Sequence, residues 1–389
     1  MGFFMRTKPE SAVQSLYRAI ADAREVPLKQ LSRTLGLKPS SLTARIRPLI
    51  KNGLCSYTSD RTRIVVNRDV GYVAGIDMGA SHVHVAWADF TGEIRDDATV
   101  EIQPEDGPRK MISQIKAAVQ DLAKGGGRGR LRAIAIGVPS PVDAEHGIVT
   151  FANNLPGWKK IHLALELERG FRVPVSMEND ANMAAIGERW RGVARGVDNF
   201  VFIALGTGVG SGLIINGELY RGRNGAAGEL FKTNIDWQTW DTEFPETGQF
   251  ENFVSGMGIA AEGRKALAFP PRTETAGLVQ ERDAYFVFEA FRQGSAEARA
   301  VLERIFVMLG VGIANLAGIL DPDLIVLGGG ITKGAPEFML EIVGKVVHRL
   351  QPNPPPIKLS WLGDKAQTYG AIYSALGVAR EAILRHLED

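Results

Sequence analysis

The chain of 389 residues carries 45 Lys and Arg against 44 Asp and Glu, and 45% of its residues are hydrophobic. This length is too great for one small domain and the apolar content is ample for sizeable cores, so a disordered or fibrous protein is excluded. The net charge is close to zero, but the charges are distributed unevenly along the chain. Residues 1–70 hold 13 Lys and Arg against 5 Asp and Glu, a net charge of +8, and the remainder carries −7. A basic segment on an acidic body suggests a phosphate-bearing partner at one end of the chain.

Three short helices are predicted in the basic segment, because its apolar residues recur at helical spacing. These residues are Val13, Leu16, Tyr17 and Ile20, then Leu28, Leu31 and Leu35, then Leu42, Ile46, Leu49 and Ile50. Gly36 lies between the second and third helices, where its tolerance of positive φ permits the tight turn of a helix-turn-helix. The third helix is expected from Pro39 to Lys51, with Ser40 or Ser41 as its N-cap.

The outer side of this third helix is short, polar and basic, as a reader of the major groove requires. Leu54 to Tyr57 and Ile64 to Asn67 then alternate like two strands and predict a hairpin, or wing, with a basic tip. We interpret residues 1–70 as a winged helix-turn-helix that binds double-stranded DNA. Its candidate contacts are Lys38, Ser40, Ser41, Thr43, Arg45, Arg47, Arg61 and Arg63. The alternative is a three-helix bundle that docks on another protein, with its arginines simply solvated.

Beyond residue 70, three apolar strands each run into a glycine-rich turn. The turns are Asp77-Met-Gly-Ala-Ser81, Gly206-Thr-Gly-Val-Gly-Ser-Gly212 and Gly328-Gly-Gly330. Free backbone N–H groups in such turns can bind phosphate, and a carboxylate at a strand end can hold a hydrated magnesium ion. The longest apolar run, Ile305 to Leu320, is about 16 residues and contains three glycines, so it predicts a buried helix and no membrane insertion.

This succession resembles the actin-like fold of sugar kinases and heat-shock ATPases, and more narrowly the ROK family of bacterial repressors, open reading frames and kinases. The resemblance covers nearly the whole chain. Besides the glycine-rich turns, it is carried by Gly137-Val-Pro-Ser-Pro-Val-Asp143, Asn154-Leu-Pro-Gly-Trp158, Glu178-Asn-Asp-Ala-Asn182, Gly225-Ala-Ala-Gly-Glu229 and Asp321-Pro-Asp-Leu-Ile-Val-Leu327.

The fold class implied is a mainly α winged helix-turn-helix followed by a two-lobed α/β actin-like, sugar-kinase (ROK) fold. The sensor domain then covers 71–389. Its first lobe takes about 71–190 plus a C-terminal helix at about 371–389, and its second lobe takes about 191–370. Family kinases lack the DNA-binding head, and family repressors carry one where this chain does.

The resemblance also implies a sugar site in the cleft between the lobes. The aspartate matching Asp180 is the general base of the family kinases, and residues matching Asn154, Asn179, Glu229 and Glu251 hold other sugar hydroxyls. Carboxylates and amides suit a ligand that offers many hydroxyls and little apolar surface. The alternative for this motif is a strand-to-helix junction in which Asp180 is only the helix N-cap.

The family's zinc site is lost from this sequence. Lys232 stands in place of the family's histidine, and Thr242, Phe244 and Gln249 stand in place of its three cysteines, a set that no zinc ion would choose. Lys232 either meets an anionic effector, such as a phosphorylated or acidic sugar, or is simply solvated. The effector accordingly differs from a plain hexose, or the pocket is degenerate. Trp237 and Trp240 are expected to rebuild the lost core of this segment.

The nucleotide loops depart from the kinase form as well. Ala80, Ser81 and His82 follow Gly79 where the kinases usually have Gly-Thr-Lys, and Ser211 replaces a common glycine. We therefore expect vestigial loops, with no catalytic residue, no ATP or magnesium cofactor and no bound metal. The loop residues concerned are Asp77, Gly79, Gly206, Gly208, Gly210, Gly328 and Gly329.

The sequence thus predicts a cytoplasmic, non-enzymatic regulator, a repressor of carbohydrate-related genes. Its partners are a DNA operator and a small carbohydrate-like effector bound between the lobes. A homodimer or tetramer is expected, because one winged head contacts too short a site for good discrimination. Cys55 is the only cysteine, which excludes an intrachain disulfide. Two alternatives stay open: a sugar kinase with a DNA-binding head, and a regulator controlled by a protein partner.

Overall fold

A computed structural model describes residues 12–79, 81–125, 130–152, 155–244, 248–267 and 284–388. Asn154 and Ala80, both singled out above, lie outside these ranges. The described chain forms an N-terminal head and two α/β lobes, and each lobe is built on a five-stranded sheet.

The head contains three helices and a small antiparallel sheet of strand order β1–β3–β2. In chain order its elements are α1 (Ala12–Ala23), β1 (Glu25–Pro27), α2 (Leu28–Thr34), α3 (Pro39–Lys51), β2 (Cys55–Tyr57) and β3 (Arg63–Val66). Helix α3 has the bounds expected from the sequence, because Leu42, Ile46 and Leu49 bury one face of it. The expected serine cap is wrong. Lys38 is the N-cap and makes no side-chain cap bond, since an ammonium group cannot accept one. Pro39 begins the helix with its fixed φ, so Ser40 and Ser41 are already inside it.

The first lobe begins with two strands of a hairpin and continues as a mixed sheet of order β11–β7–β4–β5–β6. Strands β4, β7 and β11 run parallel, so their carboxyl ends lie at one edge. The elements are β4 (Tyr72–Met78), β5 (His82–Asp89), β6 (Ile94–Glu101), α4 (Gly107–Gly125), β7 (Leu131–Val138), β8 (Val142–Asp143), β9 (Ile148–Phe151), β10 (Lys159–Ile161), α5 (Leu163–Phe171), β11 (Val175–Asn179) and α6 (Asp180–Arg191).

The second lobe repeats this plan with a sheet of order β14–β13–β12–β15–β16. Its elements are β12 (Phe200–Leu205), β13 (Val209–Ile215), β14 (Glu218–Leu219), α7 (Gln249–Val254), α8 (Gly256–Ala266), α9 (Tyr285–Arg292), α10 (Ala296–Leu320), β15 (Leu324–Gly328), α11 (Pro336–Leu350) and β16 (Ile357–Leu359). Helix α10 is long and apolar enough to cross a membrane by length and composition. Its buried side chains, from Ala298 to Ala314, lie in the core of the second lobe together with those of α11, whereas Val307 and Ile319 are exposed.

The last helix, α12 (Ala366–Glu388), connects all three parts of the structure. Its middle packs on the first sheet through Ile372 and Leu376, both fully buried. It also lies in backbone contact with α6: a Cβ placed on Gly187 would be 2.0 Å from the carbonyl oxygen of Ala366. Near its end, Leu384 is 3% exposed and belongs to the apolar core of the head. The head and the first lobe therefore share one helix.

Candidate functional site

The exposed surface of α3 is the first candidate site. Most polar side chains along it are exposed, whereas Arg45 is half-buried. The exposed ones are Lys38, Ser40, Ser41, Thr43, Arg47 and Lys51. The hydroxyl of Thr43 donates to the Pro39 carbonyl at 2.9 Å, so it is bonded within its own helix. Among the described residues, no ion pair involves Arg45 or Arg47, and both guanidinium groups are available to a ligand.

The hairpin between β2 and β3 has a tightly bonded tip. Asp60 accepts hydrogen bonds from the Thr58 hydroxyl at 2.6 Å and from the Thr62 hydroxyl at 2.7 Å, and these bonds lower the pKa of Asp60 to about 2. Arg61 follows in the left-handed region, at φ 56°, and is exposed at the tip. Arg63 is instead paired with Glu25 across β1 and β3. Arg61 is thus the wing arginine that points to solvent.

The second candidate site is the cleft at the carboxyl edge of the first sheet. Asp180 is the first residue of α6, but it is not the helix cap. The cap is Asn179, whose side-chain oxygen accepts from the N–H groups of Ala181 at 2.9 Å and Asn182 at 3.3 Å. Asn179 is therefore committed to the helix, and Oδ1 of Asp180 also accepts from the Ala181 N–H at 2.8 Å. Burial raises the pKa of Asp180 to about 6.

Asp77 lies at the end of β4, two strands away from β11 in the same sheet. It is 9% exposed, and burial together with the charges of Asp180 and Asp364 raises its pKa to about 7. With its amide turned to donate, Gln367 contacts both carboxylate oxygens of Asp77, and its nitrogen lies 2.9 Å from Oδ2. The Asp77 carboxylate was predicted from the sequence to lie in a nucleotide loop. With the Gln367 amide in this orientation, it instead accepts hydrogen bonds from within the chain.

Two glutamates from the second lobe complete the cleft. Burial raises the pKa of Glu251, whose Oε1 accepts from the Val209 N–H at 2.8 Å. Burial also raises the pKa of Glu229, while the Lys232 charge lowers it and the Asp180 and Glu251 charges raise it. These mutual effects mean that the four groups lie within electrostatic reach of one another. One oxygen of Glu229 is buried and has no hydrogen-bond partner among the described residues.

The second glycine-rich turn is explained largely by packing. A Cβ on Gly208 would meet Oε1 of Glu251, and one on Gly210 would lie 2.9 Å from Cβ of Ala181. A Cβ on Gly212 would lie 2.8 Å from the carbonyl of Ala181, so the turn sits directly on α6. Gly206 alone of these four glycines faces open space.

The third turn and Ser211 also have structural roles. A Cβ on Gly328 would strike the ring of Phe202, and one on Gly329, at φ 92°, would strike the Leu205 carbonyl. Gly79 is less crowded, since a Cβ placed there would lie 3.1 Å from the His82 carbonyl oxygen. The hydroxyl of Ser211 donates to the Gly228 carbonyl and holds the strand against the loop that presents Glu229.

Sequence reasoning missed an ion pair between the lobes. Glu178, on β11 of the first lobe, is 4% exposed and accepts from Nε of Arg221 at 2.7 Å and from the Asn182 amide at 3.0 Å. Arg221 follows β14 in the second lobe. The motif containing Glu178 is recognisable in the sequence, but nothing local indicates that a partner comes from the other lobe.

The structure also gives the positions of Trp158, Trp237 and Trp240. Trp158 is 2% exposed, and its indole N–H lies 3.3 Å from the sulfur of Met111, so it packs in the first lobe. The expectation that Trp237 and Trp240 rebuild a core is wrong, because these side chains are 79% and 80% exposed. Ile235 packs against the core in this segment instead. Within the described ranges, no group of three His, Cys, Asp or Glu side chains is arranged to hold a metal ion.

Comparison with known proteins gives consistent matches over most of the chain. The family model described as ROK family matches residues 73–377. A putative xylose repressor from Caldicellulosiruptor sp. (strain Rt8B.4) is 28% identical and covers 92% of this chain and 93% of its own length. A glucokinase from Halalkalibacterium halodurans is 32% identical and covers 70% of this chain and 84% of its own length. The structure of a ROK family transcriptional regulator, a homologue of the E. coli Mlc protein, has a TM-score of 0.80 and 23% identity, covering 96% of this chain and 98% of its own.

Proposed function

Because the chain belongs to the ROK family, we propose that it is a sugar-responsive transcriptional repressor whose head binds an operator and whose cleft binds a sugar-like effector. The repressor relatives span the head as well as the lobes, whereas the glucokinase relative covers 70% of the chain. The observation that carries the proposal is the physical connection between the cleft and the head through α6 and α12.

In this proposal the head acts as a winged helix-turn-helix. Helix α3 enters the major groove, where Ser40, Ser41 and Arg47 reach base edges and phosphates and Arg45 contributes from a half-buried position. Lys38 and the exposed tip residue Arg61 contact the backbone or the minor groove beside it. Thr43 and Arg63 are the weaker candidates, because their polar groups are already bonded within the head.

The effector is proposed to bind between Asp180, Glu229 and Glu251. Their carboxylate oxygens accept hydrogen bonds, and a polyol supplies hydroxyl donors in several directions. The unpartnered buried oxygen of Glu229 supports this role, since such a group is normally satisfied by a partner or a ligand. Lys232 lies at the edge of the same cluster, where it can meet an acidic or phosphorylated substituent. Asn154 stays a candidate ligand from the family resemblance alone.

The route from the cleft to the head begins with α6. Its first residue is Asp180, and at its far end the Arg191 guanidinium donates to the Gly92 carbonyl at 2.8 Å. Next to Gly92, Glu93 forms a 3.1 Å ion pair with Arg24 of the head. A displacement of α6 is thus transmitted to the β5–β6 turn and from there to the head.

Helix α12 provides the second connection. Gln367 at its start contacts Asp77 in the cleft, and Arg380 near its end lies 3.7 Å from Asp22 of α1. Helices α6 and α12 touch through their backbones at Gly187 and Gly370, and we propose that they move as one unit. For this unit to change DNA binding, the effector must favour one arrangement by several kcal/mol, because equal affinity for both shifts nothing.

The test is operator binding by the purified chain. Fluorescence anisotropy with fragments of its own genome should identify a duplex bound specifically, and D-xylose and D-glucose are the first sugars to add because the relatives are named for them. We expect a homodimer or tetramer to bind a two-fold site and one sugar, or an acidic or phosphorylated derivative, to change the affinity. Failure to bind any fragment would remove the proposal. Binding that responds only to a captured protein partner would favour the protein-controlled alternative.

Metal content is a separate expected result. The purified protein should contain no stoichiometric zinc by elemental mass spectrometry, because Lys232, Thr242, Phe244 and Gln249 do not offer zinc the thiolate and imidazole ligands it prefers. Added zinc should leave the unfolding temperature unchanged. One zinc per chain that resists dialysis would mean that the cysteine positions of the family correspond to other residues.

A sugar kinase is the second candidate, favoured by the glucokinase relative and by the position of Asp180 at the start of α6, where burial raises its pKa to about 6, a value suited to a general base. Against it, Gln367 bonds the Asp77 carboxylate that would meet hydrated magnesium. We expect no sugar-dependent ADP formation from ATP and magnesium with D-glucose or D-xylose in a coupled assay. Steady turnover that is lost in Asp180→Ala would establish the kinase instead.

A further inference from the structure

The chain after the loop of Glu229 is described at residues 233–244 and again from residue 248, where it enters helix α7, and a buried amide joins these two stretches. Gln249, the first residue of α7, is 3% exposed. Its Oε1 accepts from the Ile235 N–H at 2.9 Å, and its Nε2 donates to Oγ1 of Thr239 at 2.7 Å. Both ends of the amide are therefore bonded to the same segment, which contains Trp237.

Neighbouring contacts strengthen this arrangement. The Thr239 hydroxyl also bonds to the Asp236 carbonyl at 2.9 Å, and the Phe250 N–H donates to the Thr233 carbonyl at 3.2 Å. A Cβ on Gly248 would overlap the Phe231 carbonyl, so the chain entering α7 lies directly on the backbone after Glu229. A buried group with two hydrogen bonds fixes both of the segments that it joins.

Helix α7 is short, and its position determines where Glu251 reaches. Phe250 is fully buried and packs against α10, where a Cβ on Gly312 would strike its ring. One residue later, the Glu251 carboxylate crosses to the second lobe's glycine-rich turn and accepts from the Val209 N–H at 2.8 Å. The hydrogen bonds of the Gln249 side chain go to residues 235–239 and not to that turn, so its influence there passes through α7.

We propose that Gln249 is a positioning residue for the cleft: its amide clasps residues 235–239 to α7 and thereby holds the Glu251 carboxylate against Val209. The clasp itself is independent of what the cleft binds. Its effect on a sugar rests on the function proposed above.

Hydrogen exchange of the full ligand-free chain tests the clasp. Gln249→Met keeps the length and volume of the side chain but removes both hydrogen bonds. Gln238→Met is the matched control, because Gln238 is exposed in the same segment and is bonded there through its backbone N–H. In Gln249→Met we expect exchange at the amides of Ile235 and Val209 to be about 10-fold faster or more. Peptides of α3 should exchange at the wild-type rate.

Unchanged exchange at Val209 in Gln249→Met would overturn the proposal, whatever happens at Ile235. If this variant does not fold, Thr239→Val provides the test, since it removes the hydroxyl partner at nearly constant volume. It should accelerate exchange at Val209 by a smaller factor, and wild-type exchange there would equally overturn the proposal.

The effect on the cleft is measured by thermal stabilisation with D-xylose and D-glucose. For whichever sugar stabilises the wild type, the concentration that gives half of the maximal stabilisation should rise about 10-fold in Gln249→Met. The affinity for the operator should stay unchanged. If this variant and the wild type need the same sugar concentration for half of the maximal stabilisation, the positioning role is overturned. If neither sugar acts on the wild type but Val209 exchange accelerates as expected, the clasp is supported and the proposed effector class fails.

Discussion

Replacing Arg45 and Arg47 together with alanine is expected to weaken operator binding by about 100-fold or more, since each good base contact is worth roughly 1–3 kcal/mol. The dependence of affinity on salt should also become shallower, by roughly one unit of slope for each phosphate that is no longer neutralised. Arg47 is exposed on α3 and Arg45 is half-buried there, and no described ion pair holds either one. Anisotropy titrations at several salt concentrations measure both quantities.

The matched control removes the same charge from another part of the chain. Lys345 and Arg349 are both exposed on α11 of the second lobe, one turn apart, and their double alanine variant should bind the operator as the wild type does. Thermal unfolding should show little change for either variant, because surface substitutions alter stability by about 0.5 kcal/mol or less. Equal affinity and equal salt slope in the Arg45 and Arg47 variant would remove the assignment of α3 as the recognition helix.

Alanine at Asp180 or at Glu229 is expected to abolish the effect of the sugar on operator binding and to leave binding itself intact. Each carboxylate is proposed to accept a hydroxyl in a buried site, and a hydrogen bond to a charged group is worth about 1.5–3 kcal/mol, so effector affinity should fall by about 10- to 100-fold or more. Asp121→Ala is a suitable control, because Asp121 is an exposed acid of α4 that pairs with Lys124, far from the cleft residues in sequence and element. The readout is the sugar concentration that releases half of the bound duplex.

The pH dependence of this response has a defined sign. The carboxylate form of Asp180 accepts hydroxyls, and its pKa is raised to about 6, so sugar affinity should rise between about pH 5 and about pH 7 and then level off. The contribution of Asp180 to the stability of the folded state has the opposite dependence on pH. A carboxyl with a raised pKa favours the folded state when protonated, and that contribution is lost as pH rises through 6. Full release by sugar in Asp180→Ala, with an unchanged pH profile, would move the effector to another site.

Local sequence patterns predict the three helices and two of the three strands of the head, but they do not explain several of the motifs. The bounds of α3 follow from the spacing of Leu42, Ile46 and Leu49 and from the Asn52-Gly53 stop. Strand β1 escapes prediction, because three residues that pair only with β3 leave no periodic signal. The serine cap of α3 fails for a different reason: Pro39, whose φ is fixed at a helical value, starts the helix one residue before Ser40.

The glycine-rich turns show why motifs are harder to interpret than elements. In sequence, Gly208, Gly210 and Gly212 look like a phosphate loop, whereas in the fold each gives room to a neighbour, either Glu251 or helix α6. Such contacts join residues many positions apart, so spacing alone cannot distinguish them from an anion site. The same holds for Glu178 with Arg221 and for Gln249 with Thr239, whose partners are defined only once the chain is folded.

The shared helix α12 has a consequence for the synthesis of the protein. The head is encoded first, yet its apolar core is closed by Leu384, roughly 300 residues downstream. At translation speeds of about 5–20 residues per second, the ribosome takes roughly 15 to 60 seconds to cover that distance. During this interval the head of the nascent chain lacks one of the buried side chains of its apolar core. Under the function proposed above, the head that is to bind an operator is completed only after both lobes have been synthesised.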